Sequence, residues 1–498
     1  MIYQNILSYR KEIGFYLGIV SFVFLLIFPV SPDNAAASMM AAVAVLMVVW
    51  WISEALPLGA TSLVPVVAMP LLGIISGNDV AREYFNSTIL IFLGGFLIAL
   101  SMQKWMLHKR ISLIIIKILG TSNSGIVLGF MIASAVISMF ISNIATTVML
   151  LPIGLAFIYE LEEEFGQEAV HPLSISIMLG IAYSASIGGI ATLVGTAPNL
   201  IFKRIYEMNF PELTQITFAN WLIFGLPISI MMLVFIWILF TKFLFKTDNR
   251  LRIHRDIISE QLKALGKIKY EEKIILIIFF ITVLLWLFRT PIDLEFVTIP
   301  GWSSLFKNKD MIDDGTVAIF SGLLMFILPS RNLINAKKEK MLDIDVLSKV
   351  PWEVILIFGG GFALAKGFAD SGLSLLLGQN FNNLHDLPPV IMTGAICSAL
   401  TFLTELTSNT ATTNTVLPIL ASVAKANSIN PLILMLPATI SASFAFMLPV
   451  GTPPNAVVYG SGKIKIQEMV KAGFILNIAG IIIVTFWFIL SGSLFNLI

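Results

Sequence analysis

Charge is what this sequence has least of. Asp, Glu, Lys and Arg make up 12% of its 498 residues, about half the share with which a soluble domain solvates its surface. A water-soluble globule of this length is excluded. Cysteine is nearly absent too: Cys397 stands alone, which rules out an intrachain disulfide framework and a cysteine-based metal site. The four histidines (108, 171, 254, 385) fall in expected loops or interfaces, where solvation is their expected state. No general base therefore stands beside the serines of the apolar segments, which argues against an intramembrane hydrolase. There is no glycine-rich loop ending in GK[ST], so this chain is not expected to be an ATP-driven pump. Short alternating strands are also missing, which excludes a membrane β-barrel. The net charge of +1 points to no partner.

What fills the sequence instead is apolar. Hydrophobic residues make up 57% of the chain, in runs such as IGFYLGIVSFVFLLIFPV (13–30) and IILIIFFITVLLWLF (274–288). Such runs specify an all-α polytopic membrane protein. Arg10, Lys11, the first run and AAAS (35–38) together have the outline of a signal peptide. That run is long for a signal and leads into more hydrophobic sequence, so a retained first membrane helix is expected.

Lys and Arg in short loops mark the cytoplasmic side. Four basic segments stand out: 103–117, 242–273, 330–340 and 462–465. The segment 291–314 is acidic, through Asp293, Glu295, Asp310, Asp313 and Asp314, and suits the outside. Between the first two basic segments lie apolar stretches at 124–141, 144–158, 173–206 and 219–241. If 124–158 crossed the membrane once, three crossings would separate two cytoplasmic loops. A re-entrant hairpin over 124–158 leaves two and closes the topology. Between 340 and 462 the stretches near 352–368, 388–406, 411–425 and 430–450 demand a second hairpin in the same way. The result is about eleven spanning helices plus two hairpins entering from opposite faces. The N-terminus is cytoplasmic and the C-terminus outside, with Lys203 and Arg204 as a small violation of the charge rule.

The two hairpin turns carry nearly the same sequence. SNIATTVMLLP (142–152) returns as SNTATTNTVLP (408–418), identical at seven of eleven positions. IFLGGF (91–96) pairs with IFGGGF (357–362), and GTAPN (195–199) with GTPPN (451–455). Each half runs glycine-rich helix, SN turn, Gly-Thr-x-Pro-Asn break. Inverted repeats whose broken helices meet at mid-membrane are the architecture of secondary transporters.

Irregular backbone at membrane depth is tolerated only inside protein or against a filled cavity. The turns and breaks leave N–H and C=O groups unpaired, while Gly195 and Gly451 allow close backbone approach and the prolines deter helix. Freed carbonyls, the amide oxygens of Asn143 and Asn409, and the hydroxyls of Ser138 and Thr404 are hard oxygen ligands suited to Na⁺. The helix N-termini after each turn offer N–H groups to an anion. Small polar residues also pack membrane helices closely, but two matched copies, each paired with a break, favour a site. Glu405, one turn before the second tip and aligned with Met139, is expected to be a structural hydrogen-bonding group rather than a proton-coupling one. Lys366 is expected to snorkel from a helix end, and Glu54 to be a helix-end or interface group.

The stretch SASFAFMLPVGTPPNAVV (441–458) and the paired SNT-type turns resemble the divalent anion/sodium symporter family, whose members carry dicarboxylates, citrate or sulfate. The likeness covers nearly the whole chain. It implies a homodimer in the bacterial inner membrane, with a static scaffold and a transport domain that slides as an elevator. The division it implies is 1–119 (N-terminal helices, mainly scaffold), 120–245 (first transport half), 246–273 (basic cytoplasmic linker), 274–386 (scaffold) and 387–498 (second transport half). By similarity, one Na⁺ lies among Ser138, Ser142, Asn143 and Gly195, and a second among Thr404, Asn409 and Gly451. The substrate carboxylates meet Ser142, Asn143, Ser408, Asn409 and Thr410, with Thr196, Thr452 and Pro453 nearby. Na⁺ is then a coupling ion and no organic cofactor is involved.

The first turn departs from the pattern, since Ile144 stands where a Thr would complete the motif. A hydrogen bond to a charged group contributes on the order of 1.5–3 kcal/mol, so its loss shifts affinity or preference. A small dianion such as succinate and a differently oriented carboxylate both fit that change. No buried Arg or Lys is evident to hold a dianion. Unlike charges about 4 Å apart attract by roughly 4 kcal/mol at a dielectric near 20, so bound sodium ions can supply the positive charge. The expected function is Na⁺-coupled import of C4-dicarboxylates of the succinate, malate or fumarate type. A Na⁺-independent dicarboxylate exchanger and a Na⁺/H⁺ antiporter or anion efflux protein are the alternatives; an antiporter would need carboxylates where the turns carry Asn.

Overall fold

The computed structural model describes residues 2–120, 122–246, 256–294, 297–334, 337–379 and 388–492. The basic stretch 247–255 with His254, residue Glu295, and 380–387 with His385 lie outside them. The first third holds α1 (Ile2–Ile27), α2 (Ala35–Ser53), α3 (Leu58–Thr61), α4 (Val64–Leu71), α5 (Gly77–Glu83), α6 (Ser87–Lys104) and α7 (Leu107–Leu119). There follow α8 (Asn123–Ser138), α9 (Asn143–Phe165), α10 (Gln167–Ile190), α11 (Ala197–Asn209), α12 (Phe218–Ile238), α13 (Asp256–Ala264), α14 (Tyr270–Leu287) and α15 (Asp314–Ile327). The last third holds α16 (Trp352–Asp370), α17 (Leu373–Gln379), α18 (Pro389–Thr404), α19 (Asn409–Ala426), α20 (Pro431–Ser441), α21 (Pro453–Tyr459) and α22 (Ile466–Gly492). Among the described residues strand is confined to two antiparallel hairpins in loops, pairing Ile292–Leu294 with Val297–Ile299 and Pro329–Ile334 with Lys337–Lys340.

Seven helical segments among the described residues are long and apolar enough to cross a membrane, and five further apolar ones are shorter. The inbound hairpin arms α8 and α18, each 16 residues, belong to the shorter group. At 1.5 Å per residue each reaches about 24 Å, less than the roughly 30 Å hydrocarbon core. Arms of that length are compatible with the expected hairpins. The expected stretches 173–206 and 430–450 are each interrupted, by non-helical backbone at 191–196 and 442–452.

Packing repeats with the sequence. Both arms of the first hairpin, α8 and α9, lie against α10; both arms of the second, α18 and α19, lie against α20. The contacts then cross between halves: α9 packs on α21, and α19 on α11. Each outbound arm therefore meets the short helix that follows the other half's break, which draws two tips and two breaks to one place. Small residues allow close approach elsewhere, as where Gly94 of α6 faces the Ala318 backbone of α15.

Several charged residues find partners that the sequence did not disclose. Arg204 binds Glu83 at 2.7 Å, and Lys203 binds Glu207 and donates to the Ile216 carbonyl. Both cations are paired with acids. Lys366 pairs with Asp370 one turn on, at 3.0 Å, rather than only snorkelling. His108 is buried, not solvated, with Nδ1 2.9 Å from the Met102 carbonyl oxygen. His171 meets Glu468 at 2.9 Å.

Candidate functional site

The two turns hold their Asn residues in the same way. At the first, Ser142 caps α9, and the Asn143 Oδ1 accepts a hydrogen bond from the Ser138 hydroxyl at 2.7 Å. The Thr147 hydroxyl donates to the Asn143 carbonyl at 2.9 Å. At the second, Asn409 Oδ1 accepts from the Thr404 hydroxyl at 2.7 Å, and Thr413 donates to the Asn409 carbonyl at 2.7 Å. The Asn side chain is thus held from the preceding helix and its carbonyl from the following one. Ser408 makes no cap bond of its own.

The breaks also match. Thr196 and Thr452 are extended, at φ −145° and −151°, and the helices after them start with Pro in the first turn, where a missing N–H costs nothing. The motif Asn then ties the unwound strand together. Asn199 Nδ2 donates to the carbonyls of Gly189 (3.0 Å) and Thr192 (2.7 Å), and Asn455 Nδ2 to those of Ala445 (2.9 Å) and Leu448 (3.1 Å). Buried carbonyls left by unwinding are expensive unless bonded, which explains an Asn at that position in both copies.

What braces the two breaks differs. In the first, the Thr192 hydroxyl donates to the Met139 carbonyl at the hairpin end and accepts from Gly195 N–H. In the second, Glu405 occupies the position of Met139. Its carboxylate accepts from the backbone N–H of Phe446 (2.7 Å), Met447 (2.8 Å) and Leu448 (3.1 Å), and from Asn477 Nδ2 (2.8 Å). These bonds are those of the structural hydrogen-bonding group expected of Glu405.

Tips and breaks enclose a cavity of about 460 Å³, within the range of small-ligand sites. Ten of the expected site residues line it: Ser142, Asn143, Gly195, Thr196, Ser408, Asn409, Thr410, Gly451, Thr452 and Pro453. Ser138 and Thr404 lie fully buried behind it, bonded to the two Asn oxygens. Apolar walls come from Phe92, Phe96, Phe140, Val354 and Leu406. Ile144, 42% exposed, also faces this cavity, opposite Thr410 in the repeat.

Hard oxygens converge beside each tip. The space that a Cβ on Gly189 would fill lies 2.6 Å from Asn143 Oδ1 and 3.2 Å from the Gly195 carbonyl oxygen. Glycine at 189 keeps that cradle open. At the second tip the Thr404 hydroxyl is 2.7 Å from Asn409 Oδ1 and 2.8 Å from the Ala442 carbonyl. Oxygens of this kind suit a small alkali cation, so the residues present fit Na⁺. Gly189 and Ala442 were not singled out in the sequence. The Ala442 carbonyl carries no residue signature, although Gly189 lies just before the first break and Ala442 opens the second. Arg10 and Glu54 also line the cavity, and they are its only charged lining side chains among the described residues.

Comparison with known proteins places this geometry in context. The model of the family described as sodium:sulfate symporter transmembrane region matches residues 11–495. A sodium-dependent dicarboxylate transporter, SdcS, of Staphylococcus saprophyticus is 41% identical over 480 residues, covering 95% of this chain and 89% of the relative. SdcS of Staphylococcus aureus is 41% identical over 483 residues, covering 96% and 90%. The crystal structure of the Alcanivorax borkumensis YdaH transporter, described as having an unusual topology, aligns at a TM-score of 0.54 over 86% of this chain and 87% of that one. At 14% identity the likeness is one of fold.

Proposed function

The chain belongs to the sodium:sulfate symporter family of integral membrane proteins, and from that premise we propose that it is a transporter, not an enzyme, that imports C4-dicarboxylates together with Na⁺ by an elevator mechanism. The observation that carries the reading is the single cavity in which two Asn-bearing tips meet two unwound breaks. Sodium-dependent dicarboxylate transport is named for relatives that align over almost the entire chain. One Na⁺ is assigned to Ser138, Ser142, Asn143 and Gly195, with Gly189 leaving the room. A second is assigned to Thr404, Asn409 and Gly451, with the Ala442 carbonyl added. Bound sodium supplies positive charge for a dianion; the chain's own Ser142, Asn143, Ser408, Asn409 and Thr410 supply geometry, with Thr196, Thr452 and Pro453 at the breaks.

Of the two carboxylates near the cavity, Glu54 and Glu405, the one at the second turn is engaged by three backbone amides and Asn477, which weighs against the antiporter reading. About eleven spans with a cytoplasmic N-terminus, in a bacterial inner membrane, complete the proposal, as does a homodimer. The moving part comprises 120–245 and 387–498; 1–119 and 274–386 stay fixed, and the basic linker 246–273 joins the halves.

Radiolabelled succinate uptake into empty proteoliposomes tests the proposal. Uptake is expected with an inward Na⁺ gradient and not with choline in its place. Uptake only into vesicles preloaded with succinate, indifferent to Na⁺, would establish an exchanger and remove both sodium sites.

A further inference from the structure

Arg10 is the one cationic side chain among the described residues that line the cavity. It arrives there through packing well away from the tips. Gly14 and Gly18 on α1 form a small-xxx-small spacing; Gly14 lies against Ser53, and Gly18 against the Trp50 indole. The Phe15 and Trp50 rings stack at 5.5 Å, and Trp50 Nε1 donates to the Phe15 carbonyl at 3.2 Å. These contacts fix α1 along α2. They set Arg10, one turn before Gly14, beside the carboxyl end of α2.

There Nη2 donates to the Ile52 carbonyl and, across a long 3.5 Å, to the carbonyl of Leu406 in the second hairpin turn. A guanidinium has five N–H donors in a planar fork matched to a carboxylate, and both of these bonds leave from one nitrogen. The contact to Leu406 is weak enough to yield to a charged acceptor. The tips, by contrast, offer only neutral donors to a dianion.

We propose that Arg10 is a substrate-recognition residue: standing on the fixed part, it adds a charge-assisted bond to one carboxylate of the tip-held dicarboxylate in this conformation, and lets go as the moving part slides. This rests on the reading of the cavity as a dicarboxylate site. It makes Arg10 a reader of substrate charge, one that separates dicarboxylates from monocarboxylates. In this structure the same guanidinium ties the end of α2 to the second hairpin turn.

Equilibrium binding to the purified full-length protein in detergent tests this, with succinate and its monomethyl ester as probes, each in NaCl and in choline chloride. R10Q is expected to raise the Kd for succinate about ten-fold in NaCl, the loss of one charge-assisted bond, with its Na⁺ dependence retained. The ester, which lacks the second charge, should lose little, so the succinate-to-ester preference collapses. A structural defect alone would weaken both probes alike. R10K, a point charge without the fork, should recover part of the preference. A succinate Kd in R10Q within two-fold of wild type, or an unchanged preference, overturns the role of Arg10. Wild-type protein that binds no succinate in NaCl removes the dicarboxylate reading, and this proposal with it.

Discussion

In the first half of the chain the unwound strand at 191–196 hangs on a hydroxyl, with Thr192 bridging the Met139 carbonyl and the Gly195 amide. In the second half the longer strand at 442–452 is gathered by a carboxylate, with Glu405 accepting three successive backbone N–H bonds. Yet the tips beside these strands are bonded alike to the same 2.7 Å, Ser138 to Asn143 and Thr404 to Asn409. The halves agree in how the two Asn side chains are held and differ in how the unwound backbone is held and, at the cavity, in Ile144 against Thr410. Site chemistry tolerates few solutions, since a cation needs oxygens at set positions. An unwound strand needs only that its polar groups be satisfied, and a hydroxyl or a carboxylate does so equally well.

The sharpest way to break this comparison is at the shared element. N143A and N409A are each expected to abolish Na⁺-driven succinate uptake while leaving expression and oligomeric state intact. The Asn oxygen is central to each proposed sodium cradle. Near-normal uptake by both variants would remove the site roles; loss in only one would show that the halves are functionally unequal despite their matched bonding.

The next effect lies in the unmatched element. E405Q keeps the shape but replaces one acceptor oxygen with a donor that faces backbone N–H groups. With hydrogen bonds to a charged acceptor contributing about 1.5–3 kcal/mol each, a stability loss of roughly 2–3 kcal/mol is expected, read as a fall in the thermal unfolding midpoint in detergent. M139A at the matching position should cost less, because the first break takes its bond from a backbone carbonyl that alanine retains. Equal losses would mean that Glu405 is not the brace of its strand.

These contrasts show what the sequence could disclose. Asn143 and Asn409 were legible because amides are costly in apolar sequence and these return at a fixed offset with a Gly-Thr-x-Pro-Asn break. The hairpins followed from charge parity, and the 16-residue arms α8 and α18 are short enough for that reading. Glu405 announced itself by charge, though its partners, 41 to 72 residues away, did not. Arg10 stayed hidden, since its place depends on Gly14 meeting Ser53 and on a carbonyl 396 residues distant. The Ala442 carbonyl had no side-chain signal at all. His108 misled because an expected loop or interface implied solvent, whereas the ring is buried at the start of α7 against the Met102 carbonyl.

Thr192 offers the counterpart to Glu405. T192V removes a fully buried hydroxyl and leaves the Met139 carbonyl and the Gly195 amide without it. Unsatisfied buried groups cost about 1–3 kcal/mol, so a loss of roughly 2 kcal/mol is expected in thermal unfolding. Sodium dependence should shift as well, since Gly195 belongs to the first cradle. No change in either would place the first strand's support elsewhere.

The smallest effect tests the asymmetry at the cavity itself. Ile144 and Thr410 hold matching positions, and both line the cavity. I144T supplies the missing hydroxyl, and one added bond contributing about 1 kcal/mol should tighten succinate binding roughly five-fold in NaCl. T410V should weaken it by a similar factor or more, since it removes the one hydroxyl of that pair. If I144T instead weakens binding, the first turn serves the substrate's carbon chain and not its charge. The cavity would then be divided, with one tip reading the carboxylate through Ser408, Asn409 and Thr410 and the other packing the methylenes against Ile144. That outcome would leave the cation cradles symmetric and confine the difference between halves to the anion, which is where a repeat that has diverged for substrate choice should show it.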